Sequence, residues 1–444
     1  MGDGRQGESA VMFLWKSLAA RAEAGRPVRV GLVGAGKFGA MFLAQVPATP
    51  GLVVSAVADL RPDAARAAAR AVGWSEARVE ALAVTDDAAA LAARDDVDVV
   101  VEATGDARAG LRHARAAIAA GKHVVMVNVE ADVLGGAALA AEARAAGVVY
   151  SMAYGDQPAL VAELVDWARS CGFGVVAAGK GTKHLPAYHR STPDTVWEHY
   201  GLTPQAAAEA GMNPKMFNSF LDGTKSAIEM AAICNATGLT APEEGLRFPP
   251  CGTGRLVEVL RPRAEGGALP AKGSVEVVSS LERDGTQVPD DLRWGVYVVV
   301  EAPTDYAAAC FRQYGMKTDR SGRYAALWRP FHLIGLELNV SILAAGLMGV
   351  ATGSTEAFRA DVVAVAKRAL KEGETLDGEG GATVWGKLQP AAAARASDAL
   401  PIGLAEGAVM RRSAPEGATL TMADVDLRAD DPGLAIRARM TPAA

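Results

Sequence analysis

The sequence predicts an α/β protein in three parts: a doubly wound parallel sheet over residues 1–157, an α+β region over 158–376, and a small β-rich region with a tail over 377–444. Three observations carry this. Up to residue 157, β-branched strands alternate with alanine-rich helical stretches. The alternation stops after GVVYSMAYGDQP, residues 147–158. From Asp377 the chain changes to short β-like pieces separated by turn residues, with an Ala-rich hinge and a weakly ordered tail after about residue 430.

Composition bounds the function. A chain of 444 residues, 50% hydrophobic and 22% charged, can build two or three domains with cores of their own. A net charge of −6 without a polybasic run argues against nucleic acid or an anionic membrane as partner. Cys171, Cys234, Cys251 and Cys310 have no CxxC spacing, so they read as buried thiols of a cytoplasmic protein. The N-terminal apolar piece AVMFLW is too short for a secretory signal, and residues 8–24 read as a leading helix. The longest apolar run starts at Phe331 and contains His332, Glu337, Asn339 and Ser341. It reads as a buried helix, and Glu337 within it needs a partner.

The first part contains a nucleotide signature. VRVGLV, from Val28, runs into Gly34-Ala-Gly36-Lys37-Phe38-Gly39 and then an apolar helix. The glycines give a tight turn, close backbone approach to a pyrophosphate, and close helix–strand packing. A second strand ends at Asp59, 20 residues beyond Gly39, where a carboxylate would take ribose hydroxyls; Arg61 could meet a 2′-phosphate. Later strands end at Thr104 and Gly105, at Asn128 and Glu130, and at the Gly155-Asp156 loop. All of these are candidate cofactor contacts.

In the middle part, the strand GFGVVAAGKGTKHLP leads to Lys180 and Lys183. They read either as groups that hold an anion or polarise a carbonyl, or as solvated loop charges; Gly179 and Gly181 permit close approach of a ligand. Residues 273–301 alternate like two strands around the turn region DGTQVPDD. Lys317, Arg323 and Arg329, with His332 at the start of the apolar run, concentrate cations there.

The stretch FNSFLDGTKSAIEM, laid on one helix, puts Asn218, Asp222, Lys225 and Glu229 in a single polar stripe on an otherwise apolar surface. Such a stripe is either a solvated face or a proton-transfer set pointing into a cavity, with the carboxylates holding the lysine.

GDQP, AAGKGTK, FLDGTKSAIEM, RPFHLIGLE, TVWGKL and LPIGLAEGAVMRR together resemble the homoserine-dehydrogenase-like oxidoreductases that carry a C-terminal SAF domain. Within that group the chain is similar to the proteins like 1-deoxy-D-xylulose 5-phosphate reductoisomerase. The resemblance implies a Rossmann domain, a homoserine-dehydrogenase-like middle domain, a SAF-like end, and NADPH as cofactor, with NAD as the alternative that Asp59 favours. It implies a phosphorylated sugar or sugar acid as substrate and allows a divalent metal, whose ligands no spacing identifies; the large apolar middle part points to a homo-oligomer. The catalytic residues would be Asp222, Lys225, Glu229 and Lys183; Lys180, Asn218, Arg323 and His332 would bind substrate. The spacing D-x-x-K is one residue shorter than in homoserine dehydrogenases, and no ACT segment is apparent, which argues against homoserine. A sugar-acid dehydrogenase or oxidoisomerase is the alternative reaction; a non-catalytic nucleotide sensor or sugar-binding protein is the alternative from another class.

Overall fold

A computed structural model of the chain describes residues 14–443. The leading helix α1 covers Leu14–Glu23, and residues 8–13 of the expected helix lie outside the described residues. Six strands follow: β1 (Val28–Val33), β2 (Leu52–Ala58), β3 (Ala83–Thr85), β4 (Val99–Glu102), β5 (His123–Met126) and β6 (Tyr150–Met152). They form one sheet in the order β3-β2-β1-β4-β5-β6, with every pair parallel. β1 and β4 are buried nearly throughout, as parallel strands covered on both faces must be. The strand order reverses between β1 and β4, and ligands of such sheets bind beyond the carboxyl ends at that point. Four helices matter there: α2 (Lys37–Gln45), α3 (Ala107–Ala119), α4 (Val129–Ala145) and α5 (Gln157–Ser170).

The second sheet contains β7 (Gly174–Thr182), β8 (Ser274–Ser279), β9 (Val296–Glu301), β10 (Lys317–Thr318) and β11 (Tyr324–Arg329), in the order β10-β11-β9-β7-β8. The two strands read in 273–301 flank β7 and are not paired with each other; β8 runs parallel to β7 and β9 antiparallel to it. Gly179 and Gly181 serve this packing: a Cβ would come within 1.9 Å of the Glu276 carbonyl oxygen and 2.0 Å of that of Leu292. Helix α7 (Thr224–Thr237) covers the sheet with α5, and α6 (Pro214–Asp222) packs against α7.

Where the apolar run from Phe331 suggested one long helix, the backbone turns at 331–338 and helix α8 covers only Asn339–Leu343, followed by a π-helical turn over Ala344–Met348. Glu337 explains the early turn, because it accepts from Arg329 and from the Leu333 amide rather than extending a helix into the core. Leu338, Ile342 and Leu343 then pack on the core of the first sheet. Among the described residues no helix is long and apolar enough to cross a membrane.

β12 (Ala360–Ala366) pairs along its length with β13 (Val384–Pro390), so this antiparallel pair straddles the expected boundary at 376/377. Short strands β14 (Val409–Met410) and β15 (Val425–Asp426) complete the region. The Ala-rich stretch is a packed helix over Ala391–Ala396, with Ala391 and Ala394 buried, and not a hinge. The segment after residue 430 is anchored rather than loose: a helix spans Pro432–Arg437, the buried Arg437 pairs with Asp361, and Ile436 packs on α4. Of the four cysteines expected to be buried, Cys234 and Cys251 are, whereas Cys310 is half-buried and Cys171 exposed.

Candidate active site

The glycine loop is shaped by backbone contacts. Gly34 follows β1 at φ +94, where a Cβ would sit 2.8 Å from the Ala103 carbonyl oxygen, and a Cβ on Gly39 would lie 2.4 Å from that of Gly34. Gly36 precedes α2 without any side-chain cap, leaving the first amides of the helix open to an anion. Asp59 accepts from the Ala35 and Arg61 amides, each at 2.9 Å, while the Arg61 side chain is exposed. Thr104 donates to the buried Glu102 at 2.5 Å, and Asn128 caps α4 through the Ala131 amide and donates to the Asp106 carbonyl at 2.9 Å.

From Gly36, Lys37 and Phe38 a cleft of about 910 Å³ extends over Thr104, Gly105 and Asn128 to the middle sheet, and is roofed by Pro401 and Ile402 of the C-terminal region. Its lining includes the carboxylates Glu130, Asp156, Glu229 and Glu379 and the lysines Lys180 and Lys225. Lys225 of α7 pairs with Glu130 of α4 at 2.5 Å. Lys180, buried within β7, pairs with Glu229 and donates to Gln157 at 2.9 Å. Asp156 caps α5 through the Gln157 amide. Glu379, from the loop before β13, accepts from Ser219 at 2.5 Å. Burial alone would lower the Lys225 pKa, but Glu130, Glu229, Asp156 and Glu379 outweigh it and raise it, so the ammonium stays charged. Burial, and then Glu229, raises the Asp156 carboxyl.

The stripe expected on one helix does not survive as drawn. Gly223, at φ +90, separates α6 from α7 and rotates their faces apart. Lys225 and Glu229 remain at the cleft. Asp222 turns into the core, where it accepts from Lys367 at 2.8 Å and from the Thr224 amide. Asn218 is buried too, and its amide donates to the Ser191, Gly380 and Gly381 carbonyls. Arg323 is not brought to the cleft, because it pairs with Glu301 at the surface at 2.6 Å. Gly155 packs against the 333–337 turn, where a Cβ would lie 2.8 Å from the Leu333 carbonyl oxygen. Lys183 lines the cleft and donates to the His199 carbonyl. His332 lines it as well; its Nδ1 must donate to the Trp294 carbonyl at 2.7 Å, which leaves Nε2 as an acceptor in the neutral ring.

Comparison with known families places chemistry on this geometry. Residues 28–154 match the oxidoreductase family with an NAD-binding Rossmann fold, and residues 155–338 match the catalytic domain of the oxidoreductase DRL. Both matches are to oxidoreductase families, and together they run over residues 28–338. Comparison of the chain with curated protein sequences found no match. Similar solved structures include myo-inositol dehydrogenase from Lactobacillus casei with NAD(H) and myo-inositol, 18% identical over 38% of this chain and 50% of that one, TM-score 0.29. Biliverdin reductase from Synechocystis sp. PCC 6803, with biliverdin and NADP+, is 23% identical over 36% and 48%, TM-score 0.26. A putative oxidoreductase from Magnetospirillum magnetotacticum is 20% identical over 49% and 59%, TM-score 0.31. The chain thus spans about half the length of the first of these.

The cradle fits the dinucleotide. A Cβ on Gly36 would meet no protein atom within 4 Å, so the space above it is free for a pyrophosphate. Gly36→Ala is therefore expected to leave the thermal midpoint unchanged, since its extended backbone suits alanine. The same substitution should weaken NADPH binding by about tenfold or more, as read by nucleotide fluorescence titration. A metal fits the cleft less well: Glu130 and Glu229 are already held by lysines. Among the described residues no group of three or more His, Cys, Asp or Glu side chains could hold an ion.

Proposed function

We propose that the protein reduces a phosphorylated sugar with NADPH, as a reductoisomerase that takes 1-deoxy-D-xylulose 5-phosphate to 2-C-methyl-D-erythritol 4-phosphate. The observation that carries the reading is a pair of cations. Lys183 and Arg293 line the same cleft, and neither is in an ion pair among the described residues. Burial, and then the Arg293 charge, lowers the Lys183 pKa, so an anion between the two would relieve their repulsion. Tyr200 under Lys183 and Trp294 under Arg293 hold these cations by their ring faces. A phosphate there would leave the sugar oxygens facing Lys225 and His332.

NADPH, when bound, supplies the hydride. The chain's own residues do the rest: Lys225, kept charged by Glu130, stabilises negative charge on the substrate oxygens, and the Nε2 of His332 accepts from a substrate hydroxyl. Two features support NADPH over NADH: both Asp59 oxygens are engaged by backbone amides, and the Arg61 guanidinium is free to meet a 2′-phosphate. The same cation pair would take the carboxylate of a sugar acid, and reduction or oxidoisomerisation of such an acid is the second reading.

The test is NADPH oxidation in the presence of 1-deoxy-D-xylulose 5-phosphate, with the unphosphorylated sugar and a panel of sugar acids as comparison. Turnover restricted to the phosphorylated sugar is expected. Arg293→Ala should raise KM by about tenfold or more, because a charge-assisted hydrogen bond is lost. Preference for an acid would favour the second reading, and an unchanged KM in Arg293→Ala would sink the anion site.

A further inference from the structure

We propose that Glu379, delivered to the cleft by the C-terminal region, is the catalytic acid–base group that exchanges a proton with the reacting oxygen of the substrate. This rests on the reading of the cleft as a site of carbonyl reduction. The geometry separates Glu379 from its three neighbours. Glu130 and Glu229 each hold a lysine, and Asp156 caps a helix. Glu379 accepts one hydrogen bond, from the neutral Ser219 hydroxyl, and lines the same cleft.

Its loop is clamped in place. A Cβ on Gly380 would lie 2.0 Å from the Lys215 carbonyl oxygen, so the loop presses directly on the start of α6, and the buried Asn218 amide ties it down from the next turn. The charged groups facing Glu379 are Glu130 from α4, Lys225 from α7 and Asp222 from α6. Lys215 and Glu406 pair with each other at 2.6 Å on the outer side. Burial, then Glu130, pushes the Glu379 carboxyl up to about 8, with Lys225 and Ser219 pulling the other way. Glu379 therefore holds a proton at neutral pH, where Lys225 releases none.

In the reduction, the carbonyl carbon gains two electrons as hydride from the reduced nicotinamide and the C=O π bond breaks. The oxygen takes the Glu379 proton, leaving a carboxylate that is reprotonated from solvent. In the opposite direction the carboxylate takes the hydroxyl proton.

The test is the pH profile of reduction by the full-length enzyme. Because the protonated form is the active one, wild-type kcat should fall as pH rises through about 8. Glu379→Gln should lose about 10²–10⁴-fold in kcat, and the alkaline limb with it, while still binding NADPH. Glu379→Asp should recover part of the rate. Ser219→Ala removes a bond that favours the carboxylate, so it should move the limb to higher pH without altering the fold, a shift that a merely structural Glu379 would not produce. Wild-type turnover and an unchanged limb in Glu379→Gln would overturn the proposal.

If the wild type reduces none of the sugars or acids tried, that failure belongs to the substrate reading. The infrared difference between wild type and Glu379→Gln then tests the proton that the assignment requires: a protonated carboxyl band lost as pH passes through about 8 meets that requirement, and its absence overturns the assignment.

Discussion

Replacing Lys225 with alanine should cut turnover by about 10²–10⁴-fold while the enzyme still binds NADPH. The reason is electrostatic. Glu130, its ion-pair partner, and then Glu229 hold the Lys225 ammonium charged, so it supplies a fixed positive charge where a substrate oxygen becomes negative. Removing it deletes that stabilisation and leaves Glu130 without its partner. The expected signature is a fall in kcat and kcat/KM together, the pattern of an interaction made mainly in the transition state. Steady-state kinetics beside a nucleotide titration checks this. A variant that keeps its kcat would show that the pair with Glu130 merely joins the two domains.

Lys367→Met should be the most destabilising single change at this site, by about 3–5 kcal/mol. The Lys367 ammonium is buried and fully satisfied, donating to Asp222 at 2.8 Å, to the Ser191 carbonyl at 2.7 Å and to the Gly381 carbonyl at 2.6 Å. Methionine fills the volume but leaves Asp222, with no solvent exposure, as an uncompensated buried charge. Adding Asp222→Asn should recover part of the loss, since the stranded charge is then gone. Thermal or denaturant midpoints of the two variants make the comparison. A loss below about 1 kcal/mol in Lys367→Met would mean that the C-terminal region is not locked to α6 through this lysine.

These two lysines also mark where reading the sequence succeeds and where it stops. The first sheet was legible because its signals are local: a β-branched run, a glycine turn and an apolar helix lie within residues 28–45. Lys225 and Glu229 were legible as polar residues on an apolar helix. Their partners were not, because Glu130 lies 95 residues from Lys225, Glu229 is held by Lys180 49 residues away, and Asp222 by Lys367 145 residues away. Only the fold joins such pairs. The break at Gly223 did leave a signal, the Asp-Gly step inside the apolar stretch, and helical periodicity overrode it. Glu379 stands between glycines in DGEGG, a hint that a carboxylate there rides on a tight loop, but nothing local says that the loop reaches α6. Arg293 was missed because a lone arginine beside a tryptophan reads as surface.

The central claim is that dinucleotide and substrate meet above the Lys225–Glu130 pair, in a cleft to which all three regions contribute. A crystal structure of the full chain with NADP+ and 1-deoxy-D-xylulose 5-phosphate tests it most directly. The account requires the pyrophosphate over Gly36 at the start of α2 and the nicotinamide against Thr104 and Asn128. It also requires a sugar oxygen within hydrogen-bonding reach of Lys225, with the phosphate between Lys183 and Arg293. A dinucleotide bound away from Gly36, or a sugar whose oxygens reach neither Lys225 nor Glu379, would contradict it.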